Sequence, residues 1–357
     1  MSRVVAVVTG TRADWGLLRP VARAVRAHPG LRLRLVVTGT HLTTGTDAEV
    51  DPPVAARVPM QEPGRTGRHA DAVALGRGVA GLADAFERLG PAFVVVLGDR
   101  VEALAAASAA SVMGVRVAHL HGGDRAEGVA DEAMRHAITK LAHLHLTATE
   151  ESRRRVLGLG EAEASVWGVG SPAIDGLAAV PAAAEGPEVV VLQHPVGAPD
   201  AEERRRMEAT LAATAGRPRV VLHPNLDPGR GGVLAAIEAG VDPGQVRVHL
   251  PRDAFVGLLK RARLIVGNSS AGLIEAAACR CAAVDIGPRQ GGRERPAHAQ
   301  HAGHDEAEIR AAMARARDFD FEGFAHPYGD GRAGERVAGL LATIDLDRVP
   351  LRKRNAF

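Results

Sequence analysis

Cysteine, lysine and aromatic residues are all scarce in this chain. Cys279 and Cys281 are the only cysteines. They lie too close together on one element to staple a fold, which suits a reducing compartment. With no second ligand pair, Cys-Arg-Cys is read as two core thiols and not as a metal site. Lysine occurs only at Lys140, Lys260 and Lys353, so arginine carries nearly all the basic charge. Aromatic residues make up 3% of the chain, and Ala, Val and Leu must fill the core instead. The formal net charge is +2, with no basic stripe interleaved with aromatics, which gives no footing for a nucleic-acid partner. No apolar run approaches the roughly eighteen residues of a membrane span. The chain enters a strand-like run at once, with no leader pattern. A cytoplasmic protein with no membrane partner is expected.

What is present is alternation. Short apolar runs at Val4–Val8, Leu33–Val37, Phe93–Leu97, Val115–Leu120, Val189–Leu192, Val220–Leu222, Leu264–Val266 and Ala282–Ile286 predict buried parallel strands. Ala/Leu-rich stretches predict helices over Leu17–Ala27, Val101–Met113, Glu132–Leu141, Ala201–Ala215, Ala254–Ala262, Gly272–Cys279 and Glu306–Arg317. This order is that of doubly wound α/β domains. At 357 residues the chain exceeds one usual core. The aperiodic stretch at 177–186, LAAVPAAAEG, marks the boundary between domains over 1–178 and 186–331. In such domains ligands bind at the carboxyl ends of strands, so the residues directly after strands carry the information.

Seven stretches come after strands in this way. TGTRADWG offers small turn residues and Arg12, a candidate phosphate ligand or an ordinary exposed arginine. GDRVE brings Asp99, Arg100 and Glu102 to a strand end, where they pair with one another or serve a site. HGGDRAEGVADE supplies Asp124 and Asp131 as acid and base candidates; Asp131 alternatively caps the helix near Glu132. Arg135 and His136 then fall on a helix whose plain reading is a solvated charged face. LQHPV and LHPNLD place His194, His223, Asn225 and Asp227 after two successive strands of the second half. GNSSAGLIE is the strongest local signal. Ser269 and Ser270 open the predicted helix at a diphosphate-binding end, and Glu275 is placed for a ribose diol; a serine cap with a surface glutamate is the alternative. GPRQGGRER adds Arg289, Arg293 and Arg295.

Together, TGTRADWGLL, GDRVEAL, HLHGGDRAEGVADEAMRHAITKLAHLH, QHPV, HPNLDPG, GNSSAGLIEA, IGPRQGGRER and YGDGRAGERV resemble the hydrolysing UDP-N-acetylglucosamine 2-epimerases. They run in family order from Thr9 to Val337. The resemblance implies a GT-B-like α/β fold, two doubly wound Rossmann-like domains with a central cleft, and a last segment, 332–357, whose helix returns to the first domain. It implies catalytic roles for Asp99, Asp124, Asp131 and His194. Arg12 and Arg100 would face sugar and diphosphate from the first domain. Asn225, Asp227, Ser269, Ser270 and Arg289 would hold the UDP portion, with Glu275 on the ribose and the segment at Leu250 reading uracil. The partner implied is a nucleotide-sugar substrate, with no cofactor and no metal, and a homo-oligomer (dimer or tetramer) is expected. The implied reaction removes the C2 proton, expels UDP to leave a glycal, and adds water with inversion at C2. Positive groups on the departing diphosphate would come from Arg12, His194 and the helix opening at Ser270. Two positions depart from the family pattern: Asp124 stands where the family has glutamate, and Trp15 where it has tyrosine. Enzymes for GDP-linked or modified amino sugars, a glycosyltransferase on the same scaffold, and a sugar-nucleotide binding protein are the alternatives.

Overall fold

A computed structural model of the chain describes every residue except Met1, Pro52, Thr66, residues 126–131, Leu226 and Phe357. The chain forms two compact units. The first takes the described residues up to Asp124, those between Asp131 and Asp175, and those from Tyr328 onward; the second takes Gly176–Pro327. Among the described residues no helix is long and apolar enough to cross a membrane.

In the first unit the strands are β1 (Arg3–Thr9), β2 (Leu31–Thr38), β3 (Val54–Val58), β4 (Phe93–Leu97), β5 (Arg116–Leu120), β6 (Leu144–Thr147) and β7 (Val166–Gly168). They form one parallel sheet in the order β3-β2-β1-β4-β5-β6-β7. The helices are α1 (Arg12–Ala27), α2 (Thr40–Thr44), α3 (Arg68–Leu89), α4 (Val101–Val112), α5 (Glu132–Leu141) and α6 (Glu150–Gly158). Val5, Val7, Phe93 and Val95 pack to one side of the sheet, and Ala6, Val94 and Val96 to the other. Both faces are therefore covered, which is why the strands read as unbroken apolar runs. Helix α3 crosses α4 so closely that a Cβ on Gly78 would sit 3.0 Å from the Ala105 methyl. Gly78 costs helix propensity and gains that approach.

The second unit has β8 (Val189–Leu192), β9 (Arg219–Leu222), β10 (Val246–Arg247), β11 (Leu264–Gly267), β12 (Ala282–Ile286) and β13 (Ala299–Ala302). They too form a parallel sheet, ordered β10-β9-β8-β11-β12-β13. Its helices are α7 (Asp200–Ala213), α8 (Arg230–Gly240), α9 (Arg252–Arg261), α10 (Glu275–Ala278) and α11 (Glu306–Arg317). The aperiodic stretch at 177–186 lies along α9: Lys260 Nζ donates to Ala178 O at 3.2 Å, and Ala183 N to Gly257 O at 3.0 Å.

The last helix, α12 (Ala333–Thr343), belongs to the first unit. Asp175 caps it, accepting from Ala333 N at 3.0 Å and Gly334 N at 2.6 Å. Its Val337 and Leu341 share a core with Leu18, Val21 and Val25 of α1, and all five are fully buried. Each such side chain contributes about 1.5–3 kcal/mol. Beyond it, the tail is fixed by Lys353, whose Nζ lies 2.7 Å from Glu161. Lys140 reaches the same carboxylate at 2.7 Å and His145 at 2.9 Å. Burial alone would raise the Glu161 pKa; the three donors draw it down to about 2.

Two predicted helices change. The first begins at Arg12 and not at Leu17, because Thr11 caps it by accepting from Asp14 N at 3.1 Å. The stretch predicted as a helix over Gly272–Cys279 is a 3-10 turn, Ser270–Gly272, followed by the single turn of α10. Outside imidazoles bond its carbonyls sideways: His298 Nε2 lies 2.9 Å from Gly272 O, and His326 Nε2 lies 2.9 Å from Ile274 O. Ser269 and Ser270 thus open a capped turn, not a helix with a macrodipole.

Candidate functional site

In each sheet the chain reverses its winding at one point, between β1 and β4 in the first unit and between β8 and β11 in the second. Ligands of doubly wound sheets bind outside the strands' carboxyl ends at such points. Of the predicted residues, Arg12, Asp99 and Arg100 follow β1 and β4, and His194, Ser269 and Ser270 follow β8 and β11.

In the first unit, the turn after β1 is closed by Asp14, whose Oδ2 accepts from Gly10 N at 3.3 Å. A Cβ on Gly10 would lie 2.5 Å from Glu102 Cγ, so glycine is what lets Glu102 close over the turn. Glu102 is buried and accepts from Gln61 Nε2 at 2.8 Å and from Arg100 Nε at 3.3 Å. Burial pushes the Asp14 carboxyl up to about 6, against the pull of Arg100 and with the push of Glu102. The motifs did not single out Asp14; its one signal was an acid three residues after a capping threonine. Arg12 is an exposed residue in a forked ion pair with Glu49, its Nε donating at 2.8 Å. To meet a phosphate it must leave that partner.

After β4, Asp99 is paired with Arg135 of α5. Arg135 is 3% exposed and also donates to Glu132 Oε2 at 2.7 Å and to the backbone oxygen of Asp124 at 2.7 Å. The solvated-face reading of α5 therefore fails at Arg135, which links Asp99 to the loop after β5. In that loop Asp124 is buried, 2.8 Å from His121 Nδ1. Asp131 lies outside the described residues.

In the second unit, Asn268 stitches the two strand ends together. Its Oδ1 accepts from His194 N at 2.7 Å and its Nδ2 donates to His194 O at 2.8 Å. The backbone oxygen of Asn268 in turn accepts from Arg289 Nη1 at 3.2 Å and Gln290 Nε2 at 2.8 Å. His194 Nδ1 accepts from Asn225 N at 3.1 Å, which leaves Nε2–H as the ring's donor. Burial, helped by the Arg289 charge, lowers the His194 pKa to about 3. The expected positive imidazole is thus a neutral one, and permanent charge at this locus comes from Arg289. Asn225 also donates to Asp227, which lies 4.0 Å from Arg289. Ser269 caps the following turn, its side chain accepting from Ala271 N at 3.4 Å. Glu275 is no surface glutamate: it is 8% exposed, with Arg252 Nη1 3.4 Å away. Beside β9 and β10 a cavity of about 190 Å³ is lined by Leu192, His223, His249, Leu250 and Phe255.

Compared with known proteins, residues 23–342 match the family model described as UDP-N-acetylglucosamine 2-epimerase. The chain belongs to this family. It is 33% identical to the UDP-N,N'-diacetylbacillosamine 2-epimerase (hydrolyzing) of Legionella pneumophila, covering 100% of both chains. It is 30% identical to the UDP-N-acetylglucosamine 2-epimerase of Neisseria meningitidis over 99% of this chain and 98% of that one. Among solved structures, a Neisseria meningitidis UDP-GlcNAc 2-epimerase bound to UDP-GlcNAc superposes with a TM-score of 0.78 at 17% identity, over 95% of this chain and 99% of the other. The family's fold is thus GT-B-like, as the strand orders already indicate.

Proposed function

We propose that the chain is a hydrolysing 2-epimerase of a UDP-linked 2-acetamido sugar, converting UDP-N-acetylglucosamine and water to N-acetylmannosamine and UDP. The observation that carries this reading is its end-to-end similarity to a hydrolysing relative. The geometry supports it by sorting the chemistry. Asp99, ion-paired to Arg135, and Asp131 are the acid–base pair for C2. One removes the C2 proton as the C1–O bond to UDP breaks, leaving the glycal. Water then adds its oxygen at C1, and a proton returns to C2 on the opposite face.

The departing diphosphate is met by the His194 Nε2–H, by Arg289 and by the turn at Ser269 and Ser270. Glu275 takes the ribose hydroxyls, and the cavity at His249 and Leu250 takes the base. Arg12 and Arg100 complete the diphosphate and sugar contacts once their carboxylate partners yield. Reaction in D₂O should place deuterium at C2 of the released sugar, and ¹⁸O-water should label its C1 oxygen but not UDP. Released sugar without C2 deuterium would overturn the reading and leave simple hydrolysis or transfer.

A second substrate has its own support. The 33% identical relative carries the name of the N,N'-diacetylbacillosamine enzyme. Comparing kcat/KM for UDP-N-acetylglucosamine and UDP-N,N'-diacetylbacillosamine decides between them.

A further inference from the structure

The loop after β5 is where this chain leaves its family's pattern, and its hydrogen bonds draw the carboxylate inward. Asp124 is 4% exposed. Its Oδ2 lies 2.8 Å from His121 Nδ1, and its Oδ1 accepts from Ser152 Oγ at 2.8 Å. From one side, Thr149 Oγ1 donates to Ser152 Oγ at 2.9 Å. From the other, Ala173 N donates to Ser171 Oγ at 3.2 Å, and Ser171 Oγ lies 3.0 Å from His121 Nε2. A hydroxyl has one proton to give, so each donor in this array has a single direction. With a neutral imidazole and an ionised Asp124, the array closes only with the His121 proton on Nδ1.

The backbone is bent to make this possible. His121 has φ 61°, a left-handed conformation rare for a non-glycine residue. A Cβ on Gly123 would lie 2.2 Å from Ser152 O, so the loop presses directly on α6. One outward connection runs through the main chain, where Asp124 O accepts from Arg135, the partner of Asp99.

We propose that Asp124 is a positioning residue: it acts through His121, selecting the Nδ1–H tautomer and locking the loop that Arg135 ties to Asp99, and does not touch the sugar. The same hydrogen-bond logic orders serine-hydrolase triads, where the carboxylate holds an imidazole in one tautomer. Here the buried Ser171 hydroxyl ends the chain of donors, with no covalent step. The kinetic part of the test rests on the proposed epimerase reaction; the spectroscopic part does not.

Two-bond ¹H–¹⁵N NMR of histidine-labelled protein should show His121 as the Nδ1–H tautomer at neutral pH. Asp124→Asn removes the charge that selects it and should release it to a mixture. With UDP-N-acetylglucosamine as substrate, Asp124→Asn and His121→Gln should each lower kcat, on the order of 10²-fold, as a displaced site does. KM should barely move, and the double variant should be no worse than the worse single one, because the two residues act as one unit. Asp124→Glu should lower kcat, since a longer acid has no room between His121 and Ser152. A wild-type Nε2–H tautomer, additive losses, or a gain of turnover in Asp124→Glu would each overturn the proposal. A wild-type protein inert toward every UDP-sugar would overturn the functional reading alone, and the tautomer would still decide this one.

Discussion

The two units share one winding order and treat polar groups in opposite ways. At the strand ends of the first unit, carboxylates predominate and each is held by donors: Asp99 by Arg135, Glu102 by Gln61 and Arg100, Asp124 by His121 and Ser152. At those of the second, donors predominate. His223 Nδ1, Arg230 Nε and Arg293 Nε are buried atoms with no hydrogen-bond partner among the described residues. One fold thus supports two chemistries, according to the side chains set at its strand ends. Preset carboxylates suit proton transfer, and under-satisfied donors suit an anion.

The comparison breaks most easily at Asp99. Asp99→Asn removes an acid–base group, with an expected loss of turnover of about 10²–10⁴-fold. It also removes one of the two carboxylates paired with buried Arg135; Glu132 remains, so the stability loss should fall short of the about 3–5 kcal/mol of a buried charge left with no partner. Both turnover and Tm should fall. A variant with full turnover would move the carboxylate chemistry elsewhere.

In the second unit the expected losses separate from stability. His194→Ala should lower kcat by about 10²–10³-fold, the usual cost of one donor to developing negative charge, with a small change in Tm. Parallel losses of both would make His194 structural. Arg289→Ala or Ser270→Ala should weaken UDP binding by about 1.5–3 kcal/mol in calorimetry. Unchanged affinity in both would place the diphosphate elsewhere.

A pH effect is expected in each unit. Burial lowers the pKa of His119 in the first unit to about 3 and of His298 in the second to about 4, from an ordinary 6.5. As pH falls below 6.5 the unfolded chain takes up these protons before the folded one does. Stability should therefore be complete above that pH and decline towards pH 4, by up to about 1.4 kcal/mol per pH unit for each histidine. Thermal melts of His119→Gln should show a shallower decline; an identical slope would remove His119 from the account. The smallest change is Glu49→Gln. The pair with Arg12 is exposed and worth about 1 kcal/mol or less to stability. Releasing Arg12 should tighten UDP-sugar binding slightly, and weaker binding would place Arg12 outside the diphosphate contacts.

The sequence showed the fold most clearly where strands are buried on both faces, because Val4–Val8 or Phe93–Leu97 leaves little else to read. It hid α3, whose Gly76, Gly78 and Gly81 argue against a helix; in the structure Gly78 meets Ala105 and Gly81 meets Val58. Short strands such as β7 and β10 carry too few residues for any period to show. For the candidate site, the motifs marked where to look but not what each side chain does. Arg12 is occupied by Glu49, His194 is neutral, and Asp124 points inward, all through partners that no local pattern reveals. Asp14 and Asn268 lie within the motifs yet do not stand out in them, since a buried carboxylate and a stitching amide look like ordinary turn residues.

The capping of α12 by Asp175 has a consequence for synthesis. The parallel sheet of the first unit can form once residue 175 has emerged, yet the outer face of α1 stays bare until α12 arrives. Between those moments the entire second unit is made. Leu18, Val21 and Val25 thus wait without Val337 and Leu341 through the translation of Gly176–Pro327, about 8–30 seconds at 5–20 residues per second. The newborn chain is most vulnerable to aggregation in that interval, and it ends only when α12 docks.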